Sequence, residues 1–135
     1  MNAILSIKPQ YVNAILKGEK TVEFRKKVFK NKVEKVYIYS SAPVQKIVGY
    51  FTINEIIEDL PINLWKRFNQ VGSIDKKSFF AYFARSAKGY SICLDSVIQF
   101  QKFLDPKEVF ESFTPPQSYC YTDITIKNKP AGSYL

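Results

Sequence analysis

The stretch "LKGEKTVEFRKK", Leu16 to Lys27, decides how the rest of the chain is read. Ahead of it, Val12, Ile15 and Leu16 recur at helical spacing behind Pro9, whose missing N–H is not needed in a first helical turn. Gly18 is the expected stop, because glycine leaves a helix with a positive φ at little cost. Beyond it, "TVEFRKK" has period two: Val22 and Phe24 face one way, Thr21, Glu23 and Arg25 the other. The spacing therefore predicts a helix from Pro9 to Lys17 that turns directly into a strand. That strand carries a carboxylate and a guanidinium on one face, about 7 Å apart at Cα. Lys20 has the opposite parity and joins them only if the chain is still bending out of the helix at Gly18.

Those three side chains admit two readings. On a concave face, Arg25 is a fixed fork for phosphate or carbonyl oxygens. Glu23 holds Arg25 or accepts from a ring N–H or an exocyclic amine. Lys20 adds a second cation or, desolvated, an amine that titrates nearer neutrality. On an ordinary solvated face the same residues form a weak surface pair. "GEKT" echoes the end of a Walker A loop, but Glu19 separates the glycine from the lysine and a strand follows, so that reading is rejected.

The bulk composition bounds the function. A chain of 135 residues, 46% hydrophobic and 24% charged, fits one folded domain spanning 1–135. No apolar run approaches the ~18–20 residues of a membrane span. "MNAILSIKPQ" lacks the features of a signal peptide, so a cytoplasmic location without a membrane partner is expected. Cys93 in "SICLD" and Cys120 in "SYCYT" read as buried thiols, and no CxxC suggests zinc. The chain has no histidine. That excludes Ser-His-Asp and Cys-His nucleophile systems and most catalytic zinc and non-haem iron centres. No metal or cofactor is expected, and any proton carrier must be Lys, Glu, Asp, Tyr or water.

A net charge of +8 favours polyanionic partners. Its weight lies between Lys17 and Lys46, where nine basic residues face Glu19, Glu23 and Glu34. The run Lys26, Lys27, Lys30 and Lys32 is either a solvated loop or a backbone-phosphate patch.

The remaining segments complete an α+β pattern. "AILSIK", "KVYIYSS" and "KIVGYFTINEII" read as strands, the last two joined by a turn at Pro43. Pro61 starts a helix, "PINLWKRF". Ser73 is the expected cap of a second, "IDKKSFFAYFARSA", whose Phe79, Phe80 and Phe83 make a core-facing aromatic stripe. "GYSICLDSVIQFQKFL" reads as a strand broken near Asp95 and Ser96, and "DPKEVFESF" as one or two helical turns. "TPPQSYCYTDITI" reads as a turn and final strand, followed by a tail frayed from about residue 128. About six strands without regular strand–helix alternation predict a small, mostly antiparallel, strongly curved sheet or barrel.

Gly18 to Arg25 also matches G-x-K-x-x-E-x-R, and on this motif the chain resembles the ASCH family of the PUA-like superfamily. "LSIKPQYVNAILKG" is similar to that family's first strand and helix. "VEKVYIYSSAPVQKIVGYFTINEI", "LW", "FFAYF" followed by "KGYSICL", and "PPQSYCY" resemble a subgroup labelled predicted transcriptional regulators. The resemblance implies a PUA-like β-barrel with helices packed at one side. It implies a cleft beside the first helix that takes RNA or a modified nucleoside. Lys20, Glu23 and Arg25 would line that cleft, with Lys8 at its mouth. Tyr39 would supply a stacking ring, Ser40 and Ser41 hydroxyls, and Gln117 and Ser118 contacts from the C-terminal turn. One branch resembles an amidohydrolase that deacetylates N4-acetylcytidine with the signature lysine and a threonine nucleophile. Here Lys20 is kept, but Glu23 stands at the threonine position, so Lys20 and Glu23 would have to run a water-based hydrolysis. The leading expectation is a non-catalytic, regulatory RNA- or nucleoside-binding domain. The amidohydrolase is the alternative, and a basic face meeting an acidic protein partner is the third.

Overall fold

A computed structural model describes residues 1–132. The alternating segments become six strands: β1 (Asn2–Ile7), β2 (Val22–Arg25), β3 (Val36–Ser40), β4 (Lys46–Asp59), β5 (Gly89–Leu104) and β6 (Tyr119–Thr122). The helical segments become α1 (Pro9–Leu16), α2 (Pro61–Phe68) and α3 (Lys76–Tyr82). The strands form one sheet in the order β2-β5-β4-β3-β1-β6. Among the described residues only β1 and β3 pair in parallel; every other pairing of named strands is antiparallel. The sheet curls into a half-barrel with the three helices packed on it, the α+β architecture expected.

Strand alternation sorts the apolar residues into separate cores. Ala3, Leu5 and Ile7 of β1 and Val36 and Ile38 of β3 turn inward against Val12 and Ile15 of α1. The opposite parity, Ile4, Tyr37 and Tyr39, packs with Ile47, Phe100 and Ile126. β1 and β3 are therefore buried on both faces, which is why they read as nearly continuous apolar runs. Tyr37 is fully buried, and its hydroxyl accepts the Ile126 N–H at 2.8 Å, so that hydroxyl is not stranded. On the far side of β2, Val22 and Phe24 meet Leu64, Phe68, Phe79 and Phe83 in an aromatic core under α2 and α3.

Several local expectations are revised. β5 does not break near Asp95 and Ser96. It runs unbroken beside β4, and the curvature is absorbed by register shifts at Ile47/Gly49, Phe51/Ile53 and Ile53/Glu55. Such bulges twist a strand without ending it. The cap of α3 is Asp75, whose carboxylate accepts the Ser78 N–H at 2.8 Å, while Ser73 lies upstream with φ 49°. The one or two helical turns expected after β5 are a single 3-10 turn, Pro106–Glu108. Residues 129–131 are fastened along β5 rather than frayed: Gln101 N donates to Lys129 O, and Ala131 N to Gln99 O, both at 2.7 Å. The rest of the tail expectation, residues 133–135, lies outside the described residues. Cys93 and Cys120 are free and half-buried, and burial pushes both thiols up. Among the described residues no helix is long and apolar enough to cross a membrane.

Candidate functional site

The half-barrel has two free edges, β2 and β6, and the charged face of β2 looks across the gap toward β1 and β6. Side chains close this seam where no main-chain ladder does. Arg25 Nη1 donates to the Ser6 carbonyl of β1 at 3.1 Å, and Nη2 to Ser118 Oγ at 2.9 Å. Just past β2, the Val28 carbonyl accepts from the Tyr119 hydroxyl at 3.2 Å, and Lys30 N donates to the Tyr121 hydroxyl at 2.8 Å. The 116–118 loop is itself tied to β1: Ser6 Oγ donates to the Pro116 carbonyl at 2.7 Å, and Ser6 N to the Ser118 carbonyl at 3.0 Å.

At the seam lies a cleft of about 990 Å³, walled by the start of α1, the turn between β3 and β4, one face of α3 and the 115–118 loop. Lys20, Glu23 and Arg25 line it. Lys20 is 2% exposed and Glu23 5%. The bend anticipated after α1 brings the lysine in. Gly18 adopts φ 80°, and the N–H groups of Glu19 and Lys20 both fold back onto the Ala14 carbonyl, at 3.0 and 3.1 Å. Lys20 thus precedes β2 and escapes its parity.

Lys20 Nζ donates to the Gly72 carbonyl and sits 3.5 Å from Glu23 Oε1. Gly72 has to be glycine for this approach, since a Cβ there would lie 2.3 Å from the Phe24 ring. Glu23 Oε2 pairs with Arg25 Nη1 at 3.2 Å. Both carboxylate oxygens are therefore committed to cations. Glu23 is positioned to hold Lys20 and Arg25 rather than to read the edge of a base, which revises one role expected of it. Burial is the main influence on Lys20 and holds its amine below the usual lysine range; Glu23 opposes the shift and Arg25 adds to it. Arg25 Nε is buried with no protein partner.

The cleft wall also carries Lys8, Tyr39, Ser41, Gln117 and Ser118, and with them Lys26 and Lys27 of the expected loop or backbone-phosphate patch. Ser40 does not reach it, being 2% exposed within β3 and paired with Lys46. Lys30 and Lys32 are exposed on the loop leading away and do not line it. Tyr39 arrives with little surface: it is 3% exposed and its ring packs against Phe113 at 5.3 Å, so it has no free face for a stacked base. Sequence reasoning missed Ser6, Gln10, Tyr11, Gln45 and Tyr82, all of which line the cleft. The signal for Tyr82 was present: Ser78, Ala81 and Tyr82 share one face of α3 at i, i+3 and i+4, and all three line the wall. Among the described residues no three Cys, Asp or Glu side chains cluster as a metal site would require.

Fold and site together define a small α+β half-barrel domain with a cationic cleft at its open seam. Residues 5–102 match the model of the ASCH domain, and the chain belongs to that family. It is similar to an ASCH domain-containing ribonuclease of Zymomonas mobilis, 29% identical over 119 residues, covering 86% of this chain and 80% of that protein. The crystal structure of ASCH from Zymomonas mobilis superposes with TM-score 0.83 at 26% identity, covering 90% of this chain and 87% of that one. A weaker likeness, 28% over 93 residues, links 69% of this chain to the large ribosomal subunit protein uL22 of Ureaplasma parvum, of which it spans only 29%. None of these relatives carries the transcriptional-regulator label of the resembled subgroup.

Proposed function

We propose that the cleft binds single-stranded RNA through its phosphates. The observation that carries this reading is a charge imbalance. Five cationic side chains, Lys8, Lys20, Arg25, Lys26 and Lys27, line the cleft against one carboxylate, Glu23, already engaged by two of them. Lys20 is buried and Arg25 half-buried beside that single carboxylate, and the exposed Lys8, Lys26 and Lys27 add to the positive potential at the rim, which a polyanion relieves. The Arg25 guanidinium, which lines the cleft with its side chain 12% exposed, is a charge-assisted donor for a phosphate oxygen. A neutral nucleoside would leave the imbalance standing, so a phosphodiester suits the cleft better. The relative named a ribonuclease supports RNA as the polyanion. The regulatory role implied by the resembled subgroup would then act through occupancy of the RNA.

Fluorescence anisotropy with a short labelled single-stranded RNA tests this. The logarithm of the affinity should fall with the logarithm of salt by ~0.7 per phosphate contacted. Arg25→Ala should weaken binding by about tenfold or more, the worth of a charge-assisted contact. Affinity indifferent to both salt and Arg25→Ala would remove the reading.

Cleavage of the bound strand is a second reading, favoured by the similarity to a protein named a ribonuclease and by Lys20. An amine held below its usual range by burial can take the 2′-hydroxyl proton as the 2′-oxygen attacks the adjacent phosphorus. Arg25 would stabilise the charge on the phosphoryl oxygens, and the 5′-oxygen would leave with a proton from water, yielding a 2′,3′-cyclic phosphate. RNA should then be cut while its 2′-O-methyl analogue is not, and Lys20→Ala should abolish cutting. Cutting of the methylated strand would rule this route out. The amidohydrolase alternative needs Glu23 free to activate water, and its two cationic partners oppose that; turnover of N4-acetylcytidine would revive it.

A further inference from the structure

RNA binding through phosphates leaves one feature of the cleft without a use. Tyr82 ends α3 with its residue 36% exposed and lines the wall of the cleft. Its pose is fixed from two sides. The hydroxyl accepts the backbone N–H of Lys26 at 3.1 Å, one residue past Arg25. The ring packs edge-on against the buried Phe83, centroids 4.8 Å apart and planes at 75°. A flat aromatic surface held rigid beside a cationic backbone track is what an unpaired base requires. The other cleft tyrosines are already occupied: Tyr39 is buried against Phe113, and the Tyr11 ring faces Lys20 Nζ at 5.2 Å, a buried amine that the Gly72 carbonyl and Glu23 hold in place.

Without RNA, Lys26 Nζ rests over the Tyr82 ring, 4.7 Å from its centroid. An ammonium on an exposed ring is a weaker contact than a stacked base, and a lysine on a flexible stem can move to a phosphate oxygen at small cost. Beside the ring, Ser78 Oγ is committed to Asp75 at 2.8 Å and Ala81 offers only a methyl. That part of the wall supplies no hydrogen-bonding code for a base.

We propose that Tyr82 is a nucleobase-stacking subsite, and that Lys26 exchanges the Tyr82 ring for the neighbouring phosphate when a base arrives. The subsite accepts any unpaired base and refuses a duplex, whose bases already stack on their neighbours. This rests on the RNA reading of the same cleft and adds to it the means of selecting single strands.

Three probes at one salt concentration test it: a single-stranded RNA, the same strand with its bases removed, and the corresponding duplex. The wild type should prefer the first by about tenfold, the order of one base–aromatic stack. Tyr82→Ala should bring the base-bearing strand down to the level of the abasic one. Tyr82→Phe, which keeps the ring and loses only the hydroxyl anchor, should retain most of the preference and guards against a variant that merely misfolds. Lys26→Ala should preserve the preference while lowering the salt dependence by ~0.7. If the wild type binds base-bearing and abasic strands alike, or Tyr82→Ala weakens both equally, the subsite is overturned and phosphate binding stands. Failure of the wild type to bind any of the three at low salt overturns the RNA reading and the subsite with it.

Discussion

Two lysine–glutamate pairs in this molecule carry opposite signatures. Lys88 and Glu58 meet at 2.5 Å on the surface, their side chains 61% and 49% exposed. Lys20 and Glu23 stand 3.5 Å apart, 2% and 7% exposed. The hydrogen bond and charge of Glu58 raise Lys88 above the usual lysine value, whereas burial lowers Lys20 in spite of its glutamate. At the surface the partner wins because water still solvates both ions; in the cleft the lost hydration wins. Proximity is therefore a poor guide to what an ion pair does. The shorter pair is a minor surface contact, and the longer one holds charge where folding alone would not place it, a mark of functional sites.

The contrast can be broken at several points. Glu23→Ala should have the largest effect, because it leaves Lys20 and Arg25 buried without a counter-charge; a loss of about 3–5 kcal/mol in urea unfolding is expected. A loss well under ~1 kcal/mol would mean the cluster is solvated after all. Gly72→Ala should follow, at about 1–3 kcal/mol, since the new methyl meets the Phe24 ring at 2.3 Å and drives the Gly72 carbonyl from Lys20. An unchanged unfolding midpoint would show that the Phe24 ring yields freely.

Lys20→Met should act more gently and through pH. In the window between the lowered folded-state pKa of Lys20 and its ordinary value, the unfolded chain keeps a proton that the native protein has shed. Stability therefore rises with pH across that window, while below it the burial penalty on the charged amine is present in full. Tyrosines and cysteines titrate nearby, so the quantity to measure is wild type minus variant, which should climb with pH. A flat difference would place Lys20 in a solvated setting. Glu58→Gln should be the smallest: no resolvable change in unfolding midpoint at physiological salt. A loss rivalling that of Glu23→Ala would erase the distinction between the two pairs.

Much of this was legible locally. Period two placed Glu23 and Arg25 on one face of β2, and the pairing of Oε2 with Nη1 at 3.2 Å bears that out. Gly18 marked the bend that turns Lys20 inward. What escaped depends on residues distant in sequence. The burial of Lys20 needs the Gly72 carbonyl, 52 positions away, and the third anchor of Arg25 is Ser118, 93 positions away. Phe113 covers Tyr39, so a ring with the right composition for stacking is withheld from it. Tyr82 shares a helix face with Ser78 and Ala81 in the sequence, but it adjoins a stripe of core phenylalanines, and only the packing of α3 against β2 shows that this face lines the cleft. The cap of α3 slipped from Ser73 to Asp75 because both are good caps and local sequence does not choose between them. The length of β5 was missed because its bends are accommodated in the register with β4 and leave no gap in the strand itself.

The wall that Ser6 and Arg25 share with Pro116 and Ser118 joins segments up to 110 positions apart. During translation, the charged strand leaves the ribosome long before the loop that completes the cavity around it. A nascent chain thus displays its basic N-terminal third amid the cell's most abundant RNA while the cleft is still unfinished. If the cleft binds RNA as proposed, arrested chains ending before residue 115 should bind it only loosely, with no penalty from Arg25→Ala; if they already match the affinity of the full chain, the late loop has no part in recognition.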